Sequence, residues 1–372
     1  MKTVGIITMH RVLNCGSALQ AYALQHKIEQ LGYKSELIDY LYPNAYHKSF
    51  RKSDGKSILS RLINNLYSCL ISFFLKKNFS HFYNNHFVLS KTYYKTRDSI
   101  ETYPPIYDIY VSGSDQVWNP HYIGNDTTFM LSFTSSKYKI SYASSLASHG
   151  FSNATELMFA EQLEKFKSIS VREELSCEYV KQLSGKDCTF VLDPSMLLTP
   201  KEWLPIINES KLKLNDTPFV FVYILGYSFS VYDYAAKLIN HVQEKTGWNV
   251  KVLVFSRTHR KALKKYDSIS NVAPENFLKL INNASLVITD SFHATAFSLN
   301  FSRPVYSLIK SKTNKDNRVY SLLKSVGAED RAVERNQNFD DLPSLTMNYT
   351  SVRQKIITLR ETSIRFLKVA LG

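Results

Sequence analysis

The stretch VITDSFHATAFSLNFSRPV, residues 287–305, places polar side chains between an apolar strand and an apolar helix. Asp290 and Ser291 follow the strand SLVITD, and His293 falls in the first turn of a helix expected at about residues 292–300. An imidazole at that position could act as a general acid, oriented by Asp290, while Ser291 caps the helix. The alternative is a buried histidine with a structural role.

A second charged group stands at the end of another apolar strand. Arg172 closes the strand SISVR, residues 168–172, and precedes a helix expected at 173–183. A guanidinium at a strand end can bind a phosphate or carboxylate through two hydrogen bonds. The alternative is an ion pair with Glu173 or Glu174.

The strand YDIYVSG, residues 107–113, is followed by the polar run SDQVWNP. An aromatic ring beside amide and carboxyl groups suits a sugar, whose apolar face stacks while its hydroxyls are hydrogen-bonded. The alternative is a loop that buries its tryptophan and caps a helix. The candidate sugar-binding residues are Ser114, Asp115, Gln116 and Trp118.

Two helix starts offer backbone N–H groups to an anion. Asn14, Gly16 and Ser17 open the helix after the first strand, where the helix dipole favours negative charge. Ser17 acting as a simple N-cap would explain the same residues. Asn317 and Arg318 open a later helix and are either a further anion site or a capped turn.

These residues require a framework of alternating strands and helices. The strand TVGIIT, a helix ending at Gly32 and the strand SELIDY predict a parallel βαβ unit, and PFVFVYILG restarts the pattern in the second half. The fold class is therefore α/β, with two Rossmann-like doubly wound domains facing a cleft and ligands at the carboxyl ends of the strands. We place the boundary in DPSMLLTPKEW, giving domains at 1–197 and 198–372, with a last helix at 350–370 that packs back on the N-terminal domain.

Composition limits the class of protein. The chain has 372 residues, 44% of them apolar, and four cysteines without metal-like spacing. These values favour a globular protein of the reducing cytoplasm, and we expect neither a signal peptide nor a metal site. No GxGxxG follows the first strand, so a dinucleotide fingerprint is absent.

The formal net charge of +14 favours anionic partners. No nucleic-acid-binding motif accompanies the charge, so we expect no nucleic-acid partner. Basic residues flank an apolar helical face in the segment 57–77, which is too polar to span a bilayer. A helix lying in an anionic membrane interface is one interpretation, and a helix packed on its own domain is the other.

Taken together, these motifs resemble the polysaccharide pyruvyl transferase family. The matching stretches run in order along the chain: NCGSALQAYAL, GSDQVWN, SVREELS, VLDPSMLL, TDSFHATAFSLNFSRPV and NRVYSLL. The resemblance implies a glycosyltransferase-B-like fold. It also implies transfer of pyruvyl from phosphoenolpyruvate to two hydroxyls of a sugar, of galactose type, forming a cyclic ketal on a capsular, exopolysaccharide or cell-wall glycan.

The resemblance also assigns roles. Arg172 and His293 are expected to contact phosphoenolpyruvate, with His293 protonating its methylene carbon and Asp115 or Asp290 serving as base for the sugar hydroxyl. No cofactor is expected beyond this donor substrate. Some family members carry an arginine where this chain has Ser291, and we expect Arg318 or Lys315 to replace its charge.

Two alternatives and one extension follow. A nucleotide-sugar-dependent glycosyltransferase would use the same fold, because fold does not fix chemistry. A non-enzymatic protein that binds a glycan or a lipid carrier is a further alternative, disfavoured because binding alone does not require a titratable group at a strand end. If the glycan acceptor is linked to polyprenyl diphosphate, the protein would associate peripherally with the inner membrane face.

Overall fold

The computed structural model describes residues 1–41, 73–226, 229–254, 263, 265–270, 272–314 and 317–372. Within these ranges the chain forms two compact units. The first contains residues 1–41, Tyr83–Leu198 and Thr358–Gly372. The second contains residues 73–82 and Thr199–Ile357.

The first unit is built on parallel strands in the order β2-β1-β3-β4, with β5 and β6 paired beside them. Parallel bridges at Ile140↔Ser168 and Ser144↔Val171 link β4 to β5. The strands are β1 Thr3–Ile7, β2 Lys34–Leu37, β3 Ile109–Ser112, β4 Lys139–Ser141, β5 Ile169–Val171 and β6 Cys188–Phe190. The strand order reverses between β1 and β3, so the carboxyl ends of these two strands form a topological switch point.

Helices connect these strands, among them the predicted helices after the first strand and at 173–183. They are α1 Cys15–Gln30, α2 at residues 73–86, α3 Arg97–Thr102, α4 Pro120–Ile123, α5 Asn153–Leu163 and α6 Glu174–Ser184. Helix α6 ends at Gly185, whose positive φ of 68° provides the left-handed C-cap. The core between sheet and helices contains Trp118, Phe129, Phe159 and Phe166, all with no exposed surface.

The second unit has six parallel strands in the order β12-β11-β10-β7-β8-β9. They are β7 Phe219–Tyr223, β8 Asn249–Leu253, β9 Asp267–Ile269, β10 Leu286–Thr289, β11 Val305–Ile309 and β12 Ala332–Glu334. Counted from β7 along the chain, the order is that of a dinucleotide-binding Rossmann sheet, and its switch point lies between β7 and β10. Both of these strands are buried throughout, as expected for a sheet covered on both faces.

The described helices of this unit are α7 Pro200–Glu209, α8 Tyr232–Thr246, α9 Pro274–Asn283, α10 Phe292–Asn300, α11 Arg318–Val326 and α12 Thr350–Leu371. Residues Thr358–Gly372, which contain the end of α12, belong to the first unit. There Ser363 Oγ accepts a hydrogen bond from Leu192 N at 2.9 Å, and Arg360 Nε donates to Met196 O at 2.7 Å. These contacts tie the last helix to the chain that follows β6.

Most of the predicted helix at 57–77 lies outside the described residues; residues 73–77 are helical. In that described part, Phe73 and Phe74 are exposed, at 62% and 56%. Within the ranges that the structure describes, no helix combines the length and the apolar character required to cross a membrane.

Candidate active site

The carboxyl edge of the first unit brings two motifs together at its switch point. Ser17, in the first turn of α1, donates its hydroxyl to Asp115 Oδ2 at 2.6 Å, although the two residues are 98 apart in sequence. The contact exists because β3, which delivers Asp115, pairs directly with β1, which leads into α1. The predicted anion site and the predicted sugar site are therefore parts of one polar network.

Arg172 lies at the centre of this network and is 3% exposed. Its guanidinium donates to Asp193 Oδ2 at 2.8 Å, to Glu173 Oε1 at 3.3 Å and to Asp115 Oδ1 at 3.5 Å. Burial by itself lowers the pKa of Arg172, but the charges of these three carboxylates outweigh it and raise the pKa. The ion pair with Glu173, our alternative interpretation of Arg172, is thus present, and Asp193 is the closer partner.

Each of the three carboxylates also accepts a serine hydroxyl. Besides the contact from Ser17 to Asp115, Ser114 donates to Asp193 Oδ2 at 2.8 Å, and Ser145 donates to Glu173 Oε1 at 2.6 Å. The network joins the ends of four strands with the start of α1. Such a fully buried set of charges fixes side-chain positions more than it stabilises the fold, because desolvation offsets the attraction.

Asp115 has a backbone conformation that is unusual for a residue other than glycine. Its φ is +76°, in the left-handed region. The backbone N–H of Gln116 donates to Asp115 Oδ1 at 2.9 Å, and Gln116 Oε1 in turn accepts from Asn119 Nδ2 at 2.7 Å. Strained residues of this kind concentrate at functional sites, where the surrounding contacts hold them in place.

For this loop the structure shows our alternative interpretation, a loop that buries its tryptophan and caps a helix. Trp118 has no exposed surface and packs its ring edge to face with Phe166, with the ring centres 5.5 Å apart. It belongs to the core and is not placed to stack on a sugar. Ser114 is equally buried, and its hydroxyl donates inward to Asp193 instead of pointing to a ligand.

The helix start after β1 is a conventional cap. Asn14 is the N-cap residue, and its side-chain oxygen accepts from Gly16 N at 2.9 Å and Ser17 N at 3.3 Å. The expectation that Ser17 is the N-cap is therefore wrong. Asn14 occupies two of the N–H groups that the anion-site hypothesis would have offered to a ligand.

Sequence reasoning missed a charged cluster at the ends of β1 and β2. Asp39, which is 5% exposed, accepts from Arg11 Nε at 2.7 Å and faces His10 Nε2 at 3.3 Å. His10 has no exposed surface, and its Nδ1 faces Thr8 O at 3.1 Å. Burial by itself raises the pKa of Asp39, but hydrogen bonds with His10 and Arg11 outweigh it and lower the pKa. The available signal was the polar run MHR directly after the first strand.

In the second unit, Asp290 connects two strand ends at the switch point. Its Oδ1 accepts from Leu225 N and its Oδ2 from Gly226 N, both at 2.7 Å. Gly226 has a φ of +67°, a conformation that favours glycine in this loop after β7. Burial raises the pKa of Asp290, and the two backbone donors oppose that rise without cancelling it. Asp290 therefore holds the β7 loop beside β10, a role we had not assigned to it.

His293 is the second residue of α10 and is 7% exposed. Ser291 is the N-cap, as predicted, and its Oγ accepts from Ala294 N at 3.4 Å. The Phe292 ring stands perpendicular to the imidazole, with the ring centres 5.4 Å apart. Every residue of α10 is buried, so the histidine is carried by a rigid element at the carboxyl edge of the sheet.

The last predicted anion site is a capped turn. Asn317 is the N-cap of α11, and its side-chain oxygen accepts from Tyr320 N at 3.1 Å. Arg318 is the first residue of that helix. Lys315, the other expected replacement for the missing arginine, lies outside the described residues. In the described ranges, no group of three or more His, Cys, Asp or Glu side chains is arranged to hold a metal.

Comparison with solved structures defines the class of fold. MnaA from S. aureus, solved with UDP, gives a TM-score of 0.53 at 11% identity, covering 100% of this chain and 91% of that one. UDP-GlcNAc 2-epimerase from Methanocaldococcus jannaschii gives 0.50 at 12% identity, with coverages of 96% and 99%. The enzyme of that name from Neisseria meningitidis, bound to UDP-GlcNAc, gives 0.50 at 9% identity, with coverages of 97% and 100%. The fold is thus glycosyltransferase-B-like, with two α/β units built on parallel sheets.

The family follows from sequence. No curated protein sequence matches the chain. The sequence profile of the polysaccharide pyruvyl transferase family, however, matches residues 14–309, which include every candidate residue except Lys315, Asn317 and Arg318. The chain belongs to this family.

Proposed function

We propose that the protein transfers pyruvyl from phosphoenolpyruvate to two hydroxyls of a galactose-type sugar, in a surface polysaccharide or its lipid-linked precursor, and forms a cyclic ketal. The observation that carries the proposal is the position of the motif TDSFHATAFS. It places His293 on a buried helix at the switch point of a Rossmann sheet, where ligands of such sheets bind. The family match supports transfer of a pyruvyl group.

The chemistry requires a proton donor and a base. In our scheme His293 protonates the methylene carbon of phosphoenolpyruvate, a sugar hydroxyl adds to the adjacent carbon, phosphate leaves, and a second hydroxyl closes the ketal. As base for the sugar hydroxyl we propose Asp115 or Asp290, each a carboxylate that follows a strand. The carboxylate of Asp115 is fixed by Ser17 and Arg172.

Arg172 has a more indirect role in this scheme than the resemblance implies. Its side chain has no exposed surface, and its guanidinium already donates to three carboxylates. We therefore assign Arg172 as a positioning residue that holds Asp115 and Glu173. Losing it should lower kcat more than it raises the KM for phosphoenolpyruvate.

The proposal is tested by incubating the protein with phosphoenolpyruvate and a panel of galactosides, glucosides and mannosamine derivatives, free and polyprenyl-diphosphate-linked. Phosphate release and mass spectrometry report the product. We expect a pyruvylated sugar whose formation is lost in His293→Ala and kept in His121→Ala, which alters an exposed histidine. Full activity of His293→Ala would contradict the assignment of the proton donor. In a parallel incubation with UDP-GlcNAc in place of phosphoenolpyruvate, a glycosylated product would contradict the reaction.

A further inference from the structure

A pocket in the first unit lies away from the residues assigned above. It has a volume of about 680 Å³, and the loop after Leu131 and the start of β4 form most of its wall. This size is ordinary for a small-molecule site. Since Lys139 is the first residue of β4, the pocket is at the amino end of that strand, whereas Asp115 and Arg172 lie at carboxyl ends. Its lining residues are Ser132, Phe133, Thr134, Ser135, Ser136, Lys137, Lys139 and Lys165.

All charged residues that line this pocket in the described part of the chain are lysines. Lys139 is only 2% exposed, and its Nζ donates to Leu131 O at 2.9 Å. An ammonium group carries three N–H donors, so this one contact does not use its capacity. Burial, and then the positive charge of Lys165, lower the pKa of Lys139 to about 8. An anion in the pocket would relieve the repulsion between these two ammonium groups.

Three hydroxyl oxygens of the loop each accept a hydrogen bond from a neighbouring group. Ser132 Oγ accepts from the hydroxyl of Thr127 at 2.9 Å, Thr134 Oγ1 accepts from Ser136 N at 3.2 Å, and Ser136 Oγ accepts from Tyr138 N at 3.1 Å. Because each oxygen already accepts a hydrogen bond, each hydroxyl keeps its hydrogen for a partner of its own. The pocket therefore presents ammonium and hydroxyl donors together.

We infer that this pocket binds a phosphate or diphosphate group, with Lys139 as the buried contact and Lys137 and Lys165 at the rim. A tetrahedral anion has several acceptor oxygens, and charge-assisted hydrogen bonds to them are the strongest that these donors can form. The group has two possible sources, a soluble phosphate ester and the headgroup of an anionic lipid. The inference does not depend on pyruvyl transfer.

Residue-resolved acetylation tests the pocket without interference from phosphate bound elsewhere. The protein is acetylated to a limited extent with and without inorganic diphosphate, at matched ionic strength in chloride, and each lysine is quantified by mass spectrometry. We expect diphosphate to protect Lys137 and Lys165 at least about threefold, since charge-assisted contacts hold them. Lys34, an exposed lysine at the start of β2, should be unaffected. Equal modification with and without diphosphate would overturn the proposal.

Two lysine variants and a vesicle-binding assay complete the test. By calorimetry, the exposed double substitution K137Q/K165Q should weaken diphosphate binding at this site by about tenfold or more, the effect of losing charged donors, whereas K34Q should not. Unchanged affinity in the double variant would refute the site.

Sedimentation with phosphatidylglycerol and phosphatidylcholine vesicles identifies the source of the phosphate group. Binding to phosphatidylglycerol alone that K137Q/K165Q removes supports a lipid headgroup, and protection by diphosphate without vesicle binding supports a soluble ester.

Discussion

At the scale of single residues, Arg172 shows how a residue suited to ligand binding can be used internally. A guanidinium in contact with three carboxylates, and without exposed surface, is committed to organising the sheet edge. Its removal would leave Asp193, Asp115 and Glu173 as buried negative charges without the cation that they surround. Removing one partner of a buried ion pair is among the most destabilising single substitutions.

We therefore predict that Arg172→Ala lowers the free energy of unfolding by about 3–5 kcal/mol. Arg97→Ala is the matched control, since Arg97 pairs with Glu101 on the surface and is 44% exposed in its side chain. The control should change the free energy by less than about 1 kcal/mol. Urea denaturation of both variants measures the difference. Equal effects would show that the buried network contributes no more than a surface pair.

The lowered pKa of Asp39 predicts that the stability of the protein depends on pH. Its pKa is lowered in the folded state, so the stabilisation that it contributes is present above its unfolded value of about 3.9 and is lost as the pH falls through the folded value. Asp39→Asn should therefore destabilise the protein by about 1 kcal/mol or more near pH 7. The difference in stability between Asp39→Asn and the protein with Asp39 should shrink below about pH 4. Melting curves across this range test it, and a gap that widens with acidification would reverse the assignment.

At the scale of elements, the two switch points are held together by different means. In the first unit, side chains on β3, β5 and α1 contact each other through the network around Arg172. In the second unit, one carboxylate at the end of β10 accepts from the backbone after β7. The second arrangement supports the end of β10, which leads into the buried helix α10 that carries His293, where the chemistry is proposed.

Asp290→Asn tests that support. The amide keeps one acceptor oxygen and replaces the other with a donor, so the N–H of Leu225 or Gly226 loses its partner. The expected loss of stability is about 1–3 kcal/mol. Asp267→Asn, at a carboxylate whose side chain is 61% exposed beside Lys251, should cost less than about 1 kcal/mol. Denaturation of the pair is the measurement, and a neutral Asp290→Asn would mean that the β7 loop does not need the carboxylate.

At the scale of the whole molecule, the fold is compatible with more than one class of donor substrate. Solved structures with the same fold include proteins bound to UDP or UDP-GlcNAc, whereas the family match indicates pyruvyl transfer. Likeness at about 10% identity concerns the fold alone, because function depends on particular side chains at the site. The net charge of +14 favours any anionic donor and does not distinguish them.

A thermal-shift comparison distinguishes the donors. A ligand at 100 times its Kd stabilises the folded state by about 2.7 kcal/mol. In the K137Q/K165Q variant, which lacks the rim charges of the lysine pocket, we expect phosphoenolpyruvate to raise Tm and UDP-GlcNAc, whose diphosphate could otherwise bind that pocket, to leave it unchanged, with inorganic phosphate as the control. A shift with UDP-GlcNAc and none with phosphoenolpyruvate would support the nucleotide-sugar-dependent glycosyltransferase instead.

Much of this protein could be predicted from local patterns. Apolar periodicity located most of the strands and several helices to within a few residues, for example β5 and α10, because burial of one face repeats along the chain. It did not predict the short helices α3 and α4, nor α5. The same reading put Arg172 at the end of a strand and His293 in the first turn of a helix, and the ordered motifs indicated the family that the profile match confirms. These properties depend on neighbours in sequence.

The tertiary structure decided which of these residues meet and what each one does. Strand order depends on packing between distant segments, so no local pattern shows that Ser17 lies against Asp115 or that Asp290 bonds to the loop after β7. Trp118, a candidate for stacking on a sugar, is buried in the core. Arg172, a candidate for ligand contact, is buried against three carboxylates. The lysine pocket escaped notice because its donors come from a loop, a strand start and a helix end that only folding assembles.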